Sequence, residues 1–226
     1  MGVEEDPYEE ISTIQRKRTE AKKHYDRISG LYDYIEGAFE KKYRDMALDH
    51  LEIKSRERVL EIGFGTGHAL SEILAKVGEE GRVVGIDISL EMCRITQGRL
   101  FAENSFQNVD LICADAVCIP LKENIFDKIF MSFTLELFSE LEILKVLDEI
   151  KRILNEKGKL CVVSLSREED VFVELYEIFH DLFPRILDCR PIYPKKILED
   201  RNFEVEEVRR EKMGILPIQI VTAMSR

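Results

Sequence analysis

The feature that most constrains this chain is an aliphatic run, Val59-Leu60-Glu61-Ile62, that enters a stretch with three glycines in five positions, Gly63-Phe64-Gly65-Thr66-Gly67. Such a run reads as a buried strand, and the glycines allow the chain to turn through positive φ with backbone exposed to a ligand. Apolar residues at helical spacing follow from Ala69 to Val77, closed by Gly78. A strand, a glycine turn and a helix in that order form the opening unit of a parallel α/β sheet.

The alternation continues. Arg82 to Asp87 is a second β-branched strand, and Ser89 is placed to cap a helix through Leu100, its side-chain oxygen accepting from a free amide of the first turn. Asp110 to Ala114, Ile125 to Ser132 and Lys159 to Leu165 are three more strands, the last two separated by a helix at about Leu141 to Leu154. Parallel strands joined by crossover helices need cover on both faces, which predicts a doubly wound sheet. Ahead of it, residues from about Ile11 to Leu51 read as helices, with Phe39, Tyr43, Met46, Ala47 and Leu51 at helical spacing. Behind it come helical patterns at Val171 to Phe183 and Pro194 to Asp200. Two strands then close the chain, Phe203 to Val208 and Ile218 to Ala223, joined by a turn too short for a crossover and therefore antiparallel.

With 226 residues, 45% of them hydrophobic, the chain can bury one full α/β core. The expected organisation is a single domain over 1–226. It has a helical N-terminal cap at 1–52, a ligand-binding core at 53–165, and acceptor-side helices with a terminal β-hairpin at 166–226. A net charge of -11 opposes binding to a phosphate backbone, and the densest basic run, Gln15-Arg16-Lys17-Arg18 with Lys22-Lys23, is crowded by acidic neighbours. No nucleic-acid partner is expected. There is no run of apolar residues long enough to span a bilayer, and the acidic start has no signal-peptide character, so a cytoplasmic location is expected. Five cysteines without CxxC spacing predict neither a zinc site nor a disulfide framework, and no metal is expected. Cys113 and Cys118, near the strand ends, are compatible with a soft substrate such as arsenite.

In an open parallel sheet the ligand lies beyond the carboxyl ends of the strands. Alone, the glycine loop is compatible with an ordinary tight turn or with another nucleotide. Two details narrow it. His68 stands where a dinucleotide fingerprint carries its third glycine, and Glu61 precedes the first glycine by two residues, where a carboxylate suits an ammonium and a sulfonium better than a pyrophosphate. Asp87 ends the second strand 20 residues beyond Gly67, placed to accept from both ribose hydroxyls. Asp115-Ala116 ends the third strand, where an Asp can accept from an adenine amino group or simply cap its turn.

On these residues the chain resembles the class I S-adenosylmethionine-dependent methyltransferases. The resemblance is carried by Val59 to Gly67, Val84-Gly85-Ile86-Asp87-Ile88-Ser89, Asp115-Ala116 with Ile119-Pro120-Leu121, Phe126-Asp127, and Leu154-Asn155-Glu156-Lys157-Gly158-Lys159-Leu160. It extends over about residues 24 to 223 and implies a seven-stranded, mostly parallel Rossmann-like sheet with an antiparallel last strand. Within that superfamily, Tyr25-Asp26-Arg27-Ile28, Tyr32-Asp33 and Met131-Ser132-Phe133-Thr134-Leu135 are similar to the ubiquinone/menaquinone-biosynthesis C-methyltransferase group. Glu136 departs from it, standing where that group tends to carry a basic residue.

The resemblance implies S-adenosyl-L-methionine as the cofactor and a small-molecule methyl acceptor, with a quinol or other lipophilic molecule as one choice and a phospholipid or amine as another. Glu61, Gly63 and Gly65 are expected around the methionine portion, Asp87 and Ile88 around the ribose, Asp115 and Ala116 at the adenine, and Ser132 and Phe133 beneath the sulfonium, with Phe64, Gly67 and Met92 as further cofactor contacts. Tyr32 is expected to close over the donor, or to be a packing tyrosine. His180, four residues after Tyr176 and followed by Asp181, is placed to act as a base or as a structural helical histidine; Arg190 is a further acceptor-side candidate. A nicotinamide-dependent oxidoreductase, disfavoured by Glu61 and His68, and a donor- or partner-binding domain without catalysis are the alternatives from other classes. Protein methylation is disfavoured because Ser132-Phe133-Thr134-Leu135 replaces an Asn-Pro-Pro-Tyr-type motif. The apolar stripe Phe172, Leu175, Phe179, Leu182 and Phe183 suits core packing or peripheral membrane contact. Either a monomer or a homodimer is compatible with the sequence.

Overall fold

A computed structural model describes residues 40–105, 107–167, 191–213 and 216–225. Its elements are α1 (Lys41–His50), β1 (Arg58–Ile62), α2 (His68–Val77), β2 (Arg82–Asp87), α3 (Leu90–Ala102), β3 (Val109–Cys113), β4 (Phe126–Ser132), a 3-10 turn (Leu135–Leu137), α4 (Glu140–Ile153), β5 (Leu154–Leu165), α5 (Pro194–Asp200), β6 (Phe203–Met213) and β7 (Leu216–Ser225). The strands form one seven-stranded sheet in the order β3-β2-β1-β4-β5-β7-β6. The first five are parallel, and β7 is antiparallel to both its neighbours, β5 and β6. The order reverses between β1 and β4, so the ends of β1 and β4 flank the crevice where a ligand of such a sheet binds.

Strand residues alternate between two cores. Leu60, Ile62, Ile86, Ile129, Met131 and Val162 face α4 and α5. Val59, Val83, Phe130, Cys161 and Val163 face α1, α2 and α3. Helix α1 earns its place through Tyr43, Ala47, Leu48 and Leu51, all buried on one stripe, and each fully buried leucine contributes about 1.5–3 kcal/mol. Its polar side is tied to the hairpin: Tyr43 Oη donates to the Lys212 carbonyl at 2.6 Å, and Lys42 pairs with Glu211.

Two boundaries differ from the sequence pattern for physical reasons. Strand β5 begins at Leu154, directly after α4, because Asn155 to Gly158 form a bulge opposite Asp127 rather than a separate loop. Asp127 fastens it, accepting from the Asn155 side chain and from the Arg58 amide, each at 2.8 Å. Strand β6 runs on to Met213 through Arg209-Arg210-Glu211-Lys212, whose charges hide the strand pattern yet suit a sheet edge. The expected helix Val171 to Phe183, with Tyr176, His180 and the Cys189-Arg190 segment, and the N-terminal stretch with Tyr32, lie outside the described residues. No described helix is long and apolar enough to cross a membrane.

Candidate functional site

The loop between β1 and α2 is shaped from below and held from the side. Gly63 has φ +74°, and a Cβ there would stand 2.3 Å from Thr134 Oγ1, so the position is closed by the chain's own packing. Gly67 is closed likewise by Thr96. Gly65, at φ +51°, differs: nothing lies within 4 Å of where its Cβ would be, which leaves bare backbone facing open space. Thr96 Oγ1 donates to the Gly65 carbonyl at 2.9 Å, and Arg99 Nε to the Thr66 carbonyl at 2.8 Å, both from α3.

Asp87, at the end of β2, organises this loop. Its Oδ2 accepts from the Gly65 amide at 2.9 Å and its Oδ1 from the Ser89 amide at 2.8 Å. A carboxylate has about four acceptor positions, and these two bonds orient it beside the loop. Ser89 in turn caps α3, accepting from the Met92 amide at 3.3 Å, as its sequence position predicts. Ile88 is exposed beside them.

Glu61 lies on the strand face that packs against α1 and α2. It is 3% exposed, and its Oε2 has no hydrogen-bond partner among the described residues. Burial pushes its carboxyl well above the usual carboxylate range; Arg44 opposes the shift, while Asp87 and Glu72 add to it. Arg44, itself buried, donates through Nε and Nη2 to Glu72 Oε1 at 3.3 and 2.9 Å, which clamps α1 to α2 beside Glu61. A buried carboxyl with an orphaned oxygen near the loop fits an arriving cationic group.

At the end of β3, Asp115 Oδ1 accepts from the Val117 amide at 3.0 Å, so the residue caps its turn, and Ala116 is buried. The turn is fixed from α4: Glu149 Oε2 accepts from the Ile119 amide at 2.7 Å, and Arg152 donates to the Ile119 and Leu121 carbonyls. Phe64 and Met92, expected among the donor contacts, have side chains buried in the core shared with Leu70 and Leu100.

Beyond β4, Ser132 is half-buried and Phe133 takes φ +49°, an unusual conformation for a bulky residue and one that turns Thr134 onto Gly63. Glu136 follows in the 3-10 turn. It is 3% exposed, Oε1 accepts from the Leu165 amide at 3.2 Å, and Oε2 has no partner among the described residues. Burial raises its pKa to about 8 against the pull of backbone amides. Thr96, Thr134, Arg44 and the buried state of Glu136 are contributions that sequence reasoning missed. Only Glu136 left a signal, a lone charge between Leu135 and Leu137.

A polar cleft of about 240 Å³ at the opposite, amino end of β5 is lined by Asp49, His50, Glu52, Lys159, Glu206, Glu207 and Thr222. Its charges are mutually paired, His50 with Glu207 and Lys159 with Glu206 and Glu52, and it is remote from the glycine loop.

Known proteins share this arrangement. Residues 59–158 match a methyltransferase domain. A crystal structure of an S-adenosylmethionine-dependent methyltransferase from Aquifex aeolicus is 26% identical with a TM-score of 0.62, the match covering 81% of this chain and 89% of that one. The matched domain and the fold are those of S-adenosylmethionine-dependent methyltransferases. Curated relatives include the demethylmenaquinone methyltransferase of Porphyromonas gingivalis, 30% identical over 144 residues (64% of this chain, 57% of that protein). Another is the ubiquinone/menaquinone biosynthesis C-methyltransferase UbiE of Coxiella burnetii, 27% identical over 165 residues (71% and 64%). The chain spans about three fifths of the length of these two relatives.

Proposed function

We propose that this chain binds S-adenosyl-L-methionine across the Gly63–Gly67 loop and catalyses transfer of its methyl group to a small molecule, with a quinol-type ring as the acceptor class. The observation that carries the donor reading is the pairing of Gly65 and Asp87. The one loop glycine whose missing side chain faces open space is hydrogen-bonded to the carboxylate at the end of the next strand. The acceptor class is supported by the two quinone-pathway relatives.

When bound, the cofactor supplies an electrophilic methyl on a sulfonium. The chain's residues then bind, orient and exclude water. Gly63 and Gly65 offer backbone to the methionine portion, with Glu61 as the counter-charge for its ammonium. Asp87 and Ile88 hold the ribose, Asp115 and Ala116 the adenine, and Ser132 with Phe133 form the floor. Glu136, at the end of β4, is the described ionisable group on the acceptor side. As a carboxylate it can take the phenolic proton whose loss activates a quinol ring carbon. Tyr32 keeps its expected role as lid, and His180 is the alternative to Glu136 as base.

Calorimetry with S-adenosylmethionine, followed by turnover of a short-chain demethylmenaquinol, tests both halves. Donor binding with methylated product is expected. Absence of donor binding overturns the whole reading, and donor binding with no transfer to this or any other small molecule favours a domain that binds without catalysis.

A further inference from the structure

Two thiols bracket the turn that carries Asp87. Cys113 ends β3 as the register partner of Asp87, is exposed, and donates its S–H to the Ile88 carbonyl at 3.6 Å. Cys93 lies in the first turn of α3, where its amide donates to the Ser89 carbonyl at 3.2 Å. The Cys113 thiol therefore holds the Ile88-Ser89 link from β3, and the Cys93 backbone amide holds it from α3. Cys113 shares the face of β3 with Val109 and Leu111, which pack with Cys93 against the same core on the α3 side of the sheet, and its proximity raises the Cys93 thiol pKa. Cys118, the other exposed cysteine of this region, lies towards Arg152 instead.

We propose that Cys93 and Cys113 form an oxidisable dithiol site, closed to a reversible disulfide by hydroperoxides, and that closure deforms the Asp87–Ser89 turn and weakens donor binding. The second half rests on the donor reading given above. The two thiols are chemically unequal. Burial, with Cys113 beside it, pushes the Cys93 thiol up to about 12, so it stays protonated at neutral pH. Exposed Cys113 is the thiol a peroxide reaches first.

The steps balance with a hydroperoxide as the oxidant. The Cys113 thiolate attacks the peroxide oxygen, the O–O bond breaks, and Cys113 becomes a sulfenic acid as water or alcohol leaves. The Cys93 sulfur then attacks that sulfur, the S–O bond breaks, and the departing hydroxide takes the Cys93 proton as water. A thiol reductant reverses the closure by exchange. A disulfide brings the sulfurs to about 2.05 Å and removes the S–H that the Ile88 carbonyl accepts. The first turn of α3 is thereby drawn towards β3. Ser89, whose amide orients Asp87, sits on that turn.

The test uses the full chain with Cys118→Ser and Cys189→Ser, which leaves buried Cys161 as the only other thiol. The protein is treated with hydrogen peroxide, alkylated, digested and mapped by mass spectrometry. A cross-linked Cys93–Cys113 peptide is expected, lost on adding Cys113→Ser. Amide hydrogen exchange at Ser89 and Cys93 should accelerate on oxidation, and affinity for S-adenosylmethionine should fall about tenfold or more, with dithiothreitol restoring both. No cross-link, or one to Cys161, overturns the dithiol site whatever the donor result. A cross-link with unchanged exchange at the turn overturns its effect on Asp87. Failure of the reduced protein to bind donor is a separate result that strikes only the donor reading, because peptide mapping and exchange do not depend on it.

Discussion

The carboxyl ends of β2 and β4 each present an acid, and the two are built in opposite ways. Asp87 is met by two backbone amides from either side, both held by neighbouring turns. Glu136 accepts from the Leu165 amide, and its other oxygen is buried without a partner among the described residues. The donor end is thus preorganised as a hydrogen-bond acceptor, whereas burial at the end of β4 raises the pKa of an acid that substrate chemistry can use. Glu61 sits between the two cases, on the donor side by position but buried, with its pKa raised by that burial as at Glu136.

The largest effect expected from this contrast is on stability against pH. Glu136 has a folded pKa of about 8, above its unfolded value near 4.5. Between those limits the unfolded chain releases the proton first, so the stabilisation is complete below about pH 4.5 and is lost as pH rises to about 8. At about 1.4 kcal/mol per unit, that slope amounts to on the order of 5 kcal/mol. Glu136→Gln keeps an oxygen for the Leu165 amide and cannot ionise, so its urea-unfolding free energy should vary less with pH by that amount. Glu61 contributes with the same sign, and Glu61→Gln combined with Glu136→Gln should flatten the profile further. A Glu136→Gln profile parallel to wild type would show that the two acids do not differ as described.

Next in size is a comparison within the glycine loop. Gly63→Ala forces a methyl into Thr134 at positive φ and should cost about 2–4 kcal/mol in urea unfolding, since both overpacking and left-handed strain are incurred. Gly65→Ala meets nothing and should cost only about 1 kcal/mol from its conformation. The order reverses for function: Gly65→Ala should remain folded yet lose donor affinity, because its methyl occupies the open space. Equal destabilisation by the two would remove the distinction between a structural and a ligand-facing glycine.

Asp87→Asn tests the preorganised carboxylate itself. The amide offers one acceptor oxygen where two are used, and hydrogen bonds to a charged group contribute about 1.5–3 kcal/mol each. A drop of roughly 10- to 100-fold in S-adenosylmethionine affinity by calorimetry is expected, and unchanged affinity sinks the ribose role.

The same contrast explains what could be read in the sequence. The parallel strands, the cap Ser89, the helix Pro194 to Asp200 and the terminal hairpin follow from short-range patterns, and so does the placing of Asp87 and Asp115 at strand ends. The sequence could not show that Phe64 and Met92 turn inward, because an apolar residue beside a glycine loop is equally compatible with a ligand wall and a core. The burial of Glu136, the clamp from Arg44 to Glu72 and the seating of Thr134 on Gly63 join residues distant in the chain, and no local period encodes them. For the same reason Cys113 was not matched with Cys93: one is on β3, the other on α3, and only the packing of α3 brings them together.

Thr96→Val should give the smallest effect and bears most directly on how rigid the donor end is. Thr96 is fully buried, its methyl packs where a Cβ on Gly67 would go, and its hydroxyl donates to the Gly65 carbonyl. Valine keeps the shape and removes the donor, so the loss is one neutral hydrogen bond, about 1 kcal/mol. If the loop is held as a unit by Asp87, Thr96 and Arg99, the remaining two should keep Gly65 in place and donor affinity should fall only a few-fold. A fall as large as that of Asp87→Asn would mean that the loop is set by its weakest anchor, and that the donor end, like the end of β4, depends on a ligand to complete it.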